Sequence, residues 1–365
     1  MSTLFDPIKL GAIHAPNRIL MAPLTRGRST RDHVPTPIMG EYYAQRASAG
    51  LIISEATGIS QQGLGWAYAP GLWSDAQVAA WKPIVAAVHK AGGRFFAQLW
   101  HMGRIVHPSF LGGAAPVSAS ATTAPGEIRT YDGKLPFAEA RPLKLEEIPG
   151  LIEDYRRAAR NALAAGFDGI QLHAANGYLI DQFLRDGINQ RTDKYGGSIE
   201  NRIRLLTEVS QALVEIAGPA RTAVRLSPND DPQGCGDSNS EALFLAAVNA
   251  LNPFNLAFLE MRASRPDSTF RPGTRDLVPQ IRKAYTGKLI LNSDYHLEDA
   301  TAVLASGKAD AITFGRTFLA NPDLPARLKT GAKLNEADVA TYYSQGAEGY
   351  TDYPTLDRAT ASAAQ

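Results

Sequence analysis

The chain is almost devoid of cysteine: Cys235 is the only one in 365 residues. A lone thiol makes no internal disulfide, no cysteine-ligated zinc site and no iron–sulfur cluster. An excess of charge is missing too. Thirty-seven Lys and Arg face 36 Asp and Glu, a formal net charge of +1. Such a balance leaves no field to hold a nucleic-acid backbone or an anionic membrane. No apolar run is long enough to span a bilayer. The opening MSTLFDPIKL lacks the basic-then-apolar order of a secretion signal. These absences predict a cytoplasmic protein acting on small molecules, with no nucleic-acid, membrane or metal partner. Hydrophobic residues at 44% and charged residues at 20% exclude a disordered, collagen-like or coiled-coil chain.

What is present is a rhythm. Short apolar, β-rich runs recur at Arg18–Leu24, Leu51–Ala56, Arg94–Leu99, Gly169–His173, Thr222–Ser227, Leu256–Met261, Lys288–Asn292 and Ala311–Gly315. Most are apolar on both faces, as parallel strands covered by helices must be. Helical segments lie between them. Ser74-Asp75 caps one that Gly92-Gly93 stops; others span Leu145–Ala165, Arg202–Ala217, Leu277–Tyr285 and Leu297–Ala305, each followed by glycine. This pattern predicts an α/β fold, a (β/α)₈ TIM barrel formed by one domain over residues 1–365. A doubly wound sheet ranks lower, because no Gly-x-Gly-x-x-Gly turn follows the first strand. Ile8–Asn17 reads as an N-terminal hairpin closing the barrel bottom. The stretch 100–144, rich in Gly, Pro, Ser, Ala and Thr, reads as a loop excursion after the third strand that forms a rim or lid over the active site. Residues 359–365 read as a flexible tail.

Barrel active sites lie at the C-terminal strand ends, so the polar residues finishing each run are the candidates. Thr25, Gln98 and Arg225 are donors from three strands, suited to the carbonyl and nitrogen edge of one flat heterocycle. His173 and Asn176 are two donors within four residues, suited to a carbonyl oxygen or oxyanion, and Tyr178 adds a hydroxyl able to deliver a proton. Gly315-Arg316 after the last strand suits a phosphate. No nucleophile with a base and orienter is present, and no metal-ligand spacing. A site of donors without nucleophile or metal leaves the chemistry to a cofactor. Cys235, in the loop DPQGCGD, reads as an exposed bystander. Arg104 reads as the partner of a carboxylate beneath the site.

Seven stretches carry a resemblance. They are NRILMAPLTRGRS at Asn17–Ser29, AGLIISEATGIS at Ala49–Ser60, AQLWHMGRIVHPS at Ala97–Ser109, GFDGIQLHAANGYLIDQFL at Gly166–Leu184, NQRTDKYGGSIENR at Asn189–Arg202, FGRTFLANPDL at Phe314–Leu324 and GAEGYTDYP at Gly346–Pro354. In this order, over nearly the whole chain, they resemble the Old Yellow Enzyme family of FMN-dependent ene-reductases, in its bacterial branch of N-ethylmaleimide, nitrate-ester and morphinone reductases.

The resemblance implies a barrel with non-covalent FMN at its top. NADPH or NADH reduces the flavin, and an electron-poor alkene then takes hydride from flavin N5 and a proton on the other face. Thr25 is then placed at flavin O4, and Gln98 and Arg225 at the pyrimidine side and ribityl region. Pro23, Leu24 and Ala56 line the ring, with Gly315 and Arg316 on the phosphate. Asn292 and Ser293 belong to the same cofactor end, where the family usually has a glycine before Tyr295 and this chain has Asp294. Asp294 is expected to point away from the phosphate or to weaken it. His173 and Asn176 bind the substrate oxygen, Tyr178 is the proton donor, and Trp66 and Tyr343 shape the pocket. Trp66 departs from the more frequent tyrosine. Nitrate esters are an expected side activity, and monomer and homodimer both occur in the family. The alternative is a catalytically silent flavin- or ligand-binding barrel.

Overall fold

Eight segments that are buried on both faces pair in parallel and close on themselves. In this computed structural model, which describes residues 2–229, 231–263 and 276–357, they are β1 (Ile19–Met21), β2 (Ile52–Gly58), β3 (Phe95–Trp100), β4 (Gly169–His173), β5 (Thr222–Leu226), β6 (Phe258–Arg262), β7 (Leu289–Asn292) and β8 (Ala311–Phe314). Each pairs with its sequence neighbours, and β8 pairs with β1 to close the barrel. β1 is shorter than its apolar run, because Pro23 brings no N–H to the ladder. β2 runs two residues further than its apolar run and carries a register shift between Ile53 and Ala56. That bulge turns Glu55 out of the ladder alternation.

The bottom of the barrel is apolar. Leu20, Leu51, Ile53, Phe96, Ala223, Phe258, Ile290 and Ala311 cluster there with Leu10 and Ile13 of the N-terminal hairpin. The hairpin pairs Ile8–Leu10 with Ile13–Ala15. Gly11 in its turn has φ +57°, and a Cβ there would sit 2.1 Å from Ala220 O. Only glycine lets the turn close this tightly under the barrel. A second, larger core lies between the strands and the helices.

The helix from Asp75 to Lys90 is capped as its sequence indicates. Ser74 Oγ accepts from Gln77 N, and Gln77 Oε1 accepts from Ser74 N. Gly166, at φ +100°, ends Ile148–Ala165. The expected helix from Arg202 is two pieces, Ile199–Arg202 and Arg204–Ala217. Pro37–Ala44, Ser240–Leu251 and Leu324–Thr330 are further helices. Ser240–Leu251 escapes a periodicity reading because it is apolar nearly all round.

The stretch after β3 is not bare loop. It contains an antiparallel pair, Glu127–Thr130 with Gly133–Pro136. Phe110, Ile128 and Tyr131 of this stretch pack behind Trp66. Residues 359–365 lie outside the described residues.

Two expectations are corrected beneath the site. Cys235 is fully buried rather than exposed. Its loop folds under the β4 end, with the thiol 3.7 Å from Gly177 O and 3.6 Å from Arg104 Nη2. Burial pushes the thiol up to about 12, which makes it unreactive at neutral pH. Arg104 meets no carboxylate among the described residues. Its guanidinium donates to the carbonyls of Thr123 and Gln233, so it ties the β3 excursion to the β5 loop through backbone acceptors.

Candidate active site

Above the apolar plug the barrel interior becomes polar. Gln98 Nε2 donates to Gln171 Oε1 at 2.7 Å, and Gln171 Nε2 donates to Glu260 Oε2 at 2.8 Å. Thr313 Oγ1 donates to Glu260 Oε1 at 2.7 Å. All four side chains are buried, and each satisfies the next, as buried polar groups require. Arg225 rises from this layer. Its Nη2 donates to Asn292 Oδ1 at 2.6 Å, and its Nε lies 3.5 Å from Glu260 Oε2. That Nε has no hydrogen-bond partner among the described residues.

Over the layer opens a cavity of about 610 Å³, the size of a cofactor pocket. Pro23, Leu24, Thr25, Arg225, Asn292, Ser293, Gly315 and Arg316 all line it, as do Trp66, Asn176, Tyr178 and Tyr343. Ala56, Gln98 and His173 are buried and are not among its lining residues. Residues 100–144 contribute nothing to the wall.

The turn bearing Thr25 is held from below. Glu55, fully buried, accepts from Arg26 N and Gly27 N at 3.1 Å each. Burial pushes its carboxyl above the usual range, and these N–H donors oppose that shift. Arg26 and Arg28 then reach across the mouth. Arg26 donates to Tyr342 O and Gly349 O, and Arg28 to Tyr342 O, Thr341 O and Glu348 O. These bonds fold the C-terminal segment back over the barrel. They deliver Tyr343 to the rim, where its ring meets Trp66 at 5.2 Å.

The β4 end turns sharply. Asn176 and Gly177 both have positive φ, +61° and +78°. Ser227 Oγ accepts from Asn176 N at 2.7 Å and fixes the turn. His173 is buried, with Ala175 N–H directed at its Nδ1 at 3.4 Å, which assigns the ring proton to Nε2. Burial, then the positive Arg225, holds this imidazole well below its usual pKa, so it is a neutral donor. The Tyr178 ring stands edge-on to His173 at 5.0 Å and to Trp100 at 4.9 Å. Burial, then Tyr343, pushes its hydroxyl up to about 12, which keeps the proton on the oxygen.

At the opposite end, Asp294 faces the cavity rather than away from it. Its Oδ1 pairs with Arg316 Nη2 at 2.5 Å. The physical reason is adjacency: β7 and β8 are neighbours, so their C-terminal loops share one edge of the mouth. A Cβ on Gly315 would meet nothing nearer than Leu24 Cδ2 at 3.5 Å. Internal packing does not demand glycine there, and the space it leaves belongs to the cavity.

Arg262 is one of the wall residues that sequence reasoning missed, as are His296 and Tyr342. Arg262 Nη1 donates to Asn176 Oδ1 at 3.1 Å. The apolar run of β6 stops at Met261, one residue before the strand does. Extending each run to its first polar residue finds Arg262. Holding the Asn176 oxygen leaves its amide nitrogen as the group free to donate to a ligand.

A closed parallel barrel with a deep donor-lined mouth defines a (β/α)₈ fold whose mouth suits a flat, anionic cofactor. The residues fit FMN: the Arg225 guanidinium on the wall at one end, and Arg316 beside Gly315 at the other. Residues 3–335 match the family described as NADH:flavin oxidoreductase / NADH oxidase, and the chain belongs to that family, among the Old Yellow Enzyme homologues. The old yellow enzyme homologue from Zymomonas mobilis (NCR) superposes with a TM-score of 0.96 at 60% identity, over 97% of this chain and 100% of that one. Morphinone reductase in complex with tetrahydroNAD gives 0.92 at 46% identity, over 98% and 99%. The 12-oxophytodienoate reductase 2 of Arabidopsis thaliana is 42% identical over 360 residues, 97% of this chain and 96% of that protein. Among the described residues no helix is long and apolar enough to cross a membrane, and no His/Cys/Asp/Glu group is arranged to hold a metal.

Proposed function

We propose that this chain reduces the C=C bond of α,β-unsaturated carbonyl and nitro compounds at the expense of NADPH or NADH, with FMN bound non-covalently in the cavity. When bound, FMN accepts hydride from the nicotinamide and passes it to the alkene. The protein's own groups do the rest. Thr25 and Arg225, with Gln98 beneath, hold the ring. Asn292, Ser293, Gly315 and Arg316 hold the phosphate end, and Pro23, Leu24 and Ala56 shape the ring slot. Neutral His173 and Asn176 donate to the substrate oxygen and draw electron density from the alkene. Tyr178 holds the proton for the α-carbon, and Trp66 and Tyr343 bound the substrate. The same donors suit the oxygens of nitrate esters.

The observation that carries this reading is the β4 turn. It gathers a buried neutral imidazole, an amide and a protonated phenol at one strand end, beside Arg225, which pairs with His173 across β4 and β5. The purified protein is expected to be yellow, to bleach with NADPH or NADH without oxygen, and to regain colour with 2-cyclohexenone. A protein that stays yellow with both nicotinamides is a silent binder, and a colourless one that takes up no FMN overturns the reading.

The Tyr178→Phe variant is expected to slow reoxidation by 2-cyclohexenone about 100-fold while flavin reduction keeps its rate. Stopped-flow absorbance of the two half-reactions checks this. Equal slowing of both denies Tyr178 the proton.

A further inference from the structure

Glu260 is a carboxylate with no solvent exposure, one layer below the cavity, and the proposed chemistry gives it no part. Its placement follows from barrel register. Arg225 pairs with Glu260 across β5 and β6, and Gln171 pairs with Gln98 across β4 and β3. The three groups around it divide its two oxygens. Thr313 Oγ1 holds Oε1 at 2.7 Å, while Gln171 Nε2 holds Oε2 at 2.8 Å and Arg225 Nε stands 3.5 Å from the same Oε2. One buried anion is thereby coupled to both side chains that reach the ring end, directly to Arg225 and through Gln171 to Gln98.

We propose that Glu260 is a positioning residue that sets the electron affinity of the bound flavin by opposing the charge of Arg225. This rests on the FMN reading above. Arg225 carries a fixed positive charge against the cavity, and its burial from water makes that charge act strongly. Unopposed, it favours the reduced ring, which carries more negative charge than the oxidised one. Glu260 offsets that pull, so its charge holds the flavin at a lower potential and makes the reduced form a stronger hydride donor. The hydrogen bonds also fix the arginine's height in the barrel and the amide orientation of Gln98.

Glu260→Gln separates charge from shape. A glutamine oxygen still accepts from Gln171, and its amide donates to Thr313 Oγ1, whose own proton turns to Leu291 O at 3.4 Å. The barrel layer therefore keeps its bonds and loses only the charge. Apo-protein is loaded with FMN, and the reduced-to-oxidised ratio is read from the spectrum against a reference dye at equilibrium. The Glu260→Gln variant is expected to shift that ratio toward reduced flavin by about tenfold. Glu260→Asp, which keeps the charge, is expected to stay within about twofold of wild type. A residue serving packing alone predicts the opposite order, because aspartate is shorter and breaks more contacts than glutamine. Wild-type protein that loads FMN while Glu260→Gln leaves the ratio unchanged overturns this inference alone. Wild-type protein that takes up no FMN overturns the FMN reading with it. Should Glu260→Gln lose FMN, Glu260→Asp decides: a tenfold shift with the charge retained overturns the proposal, and a wild-type ratio supports it.

Discussion

Replacing His173 and Asn176 together by alanine is expected to lower 2-cyclohexenone reduction about 1,000-fold while FMN stays bound. Both side chains sit at the β4 end, away from the β7–β8 edge proposed to take the phosphate, so cofactor loading is expected to be spared. In the proposed function two donors share one substrate oxygen in a buried site, where each counts far more than in water. The pH dependence follows from the environment of His173. Burial and Arg225 depress its folded pKa well below 6.5, so the ring is neutral from pH 6.5 upward and donates through Nε2. Alkene reduction between pH 6.5 and 8 is therefore expected to show no histidine step. The same depression means that the unfolded chain binds the proton first. Its contribution to stability is full above pH 6.5 and is lost as pH falls toward the folded value. Steady-state rates across that window, with FMN content measured on each sample, check the first statement, and denaturant unfolding at pH values below 6.5 checks the second. Activity within tenfold of wild type in the double variant would remove these residues from substrate binding.

The second large effect is at the other end of the cavity. Arg316→Ala is expected to weaken FMN binding about 100-fold, and Asp294→Ala to tighten it about tenfold. The guanidinium and the carboxylate are paired at 2.5 Å, and both side chains are partly exposed. A phosphate entering beside Gly315 must share Arg316 with Asp294 and tolerates the like charge poorly. Removing Asp294 frees the arginine and removes the repulsion. Fluorescence quenching during titration of apo-protein with FMN measures both variants. If Asp294→Ala weakens binding as Arg316→Ala does, Asp294 orients the arginine instead of competing with the phosphate.

Much of the architecture was legible locally. Strand runs such as Gly169–His173 and Leu289–Asn292 are apolar on both faces because each is buried on both faces, and that demand is written residue by residue. The cap at Ser74 and the stop at Gly166 are local for the same reason: their partners lie within a few residues. The polar residues that end the strands were legible too, since in a parallel barrel those ends converge on one mouth.

What the sequence could not determine depends on partners far along the chain. Arg26 and Arg28 find their partners only in the carbonyls of residues 341–349, some 320 positions away. Cys235 looks exposed in a glycine-rich loop until that loop folds beneath Gly177. Asp294 turns toward the mouth because Arg316 stands on the adjoining strand loop, and Arg262 becomes a wall residue beside Asn176, which it meets over the end of β5. Periodicity and turn chemistry describe what a segment needs from its surroundings, so they determine elements and their order. Which buried donor meets which acceptor is decided only when barrel closure sets the strand register and the loops between strands compete for the same small volume.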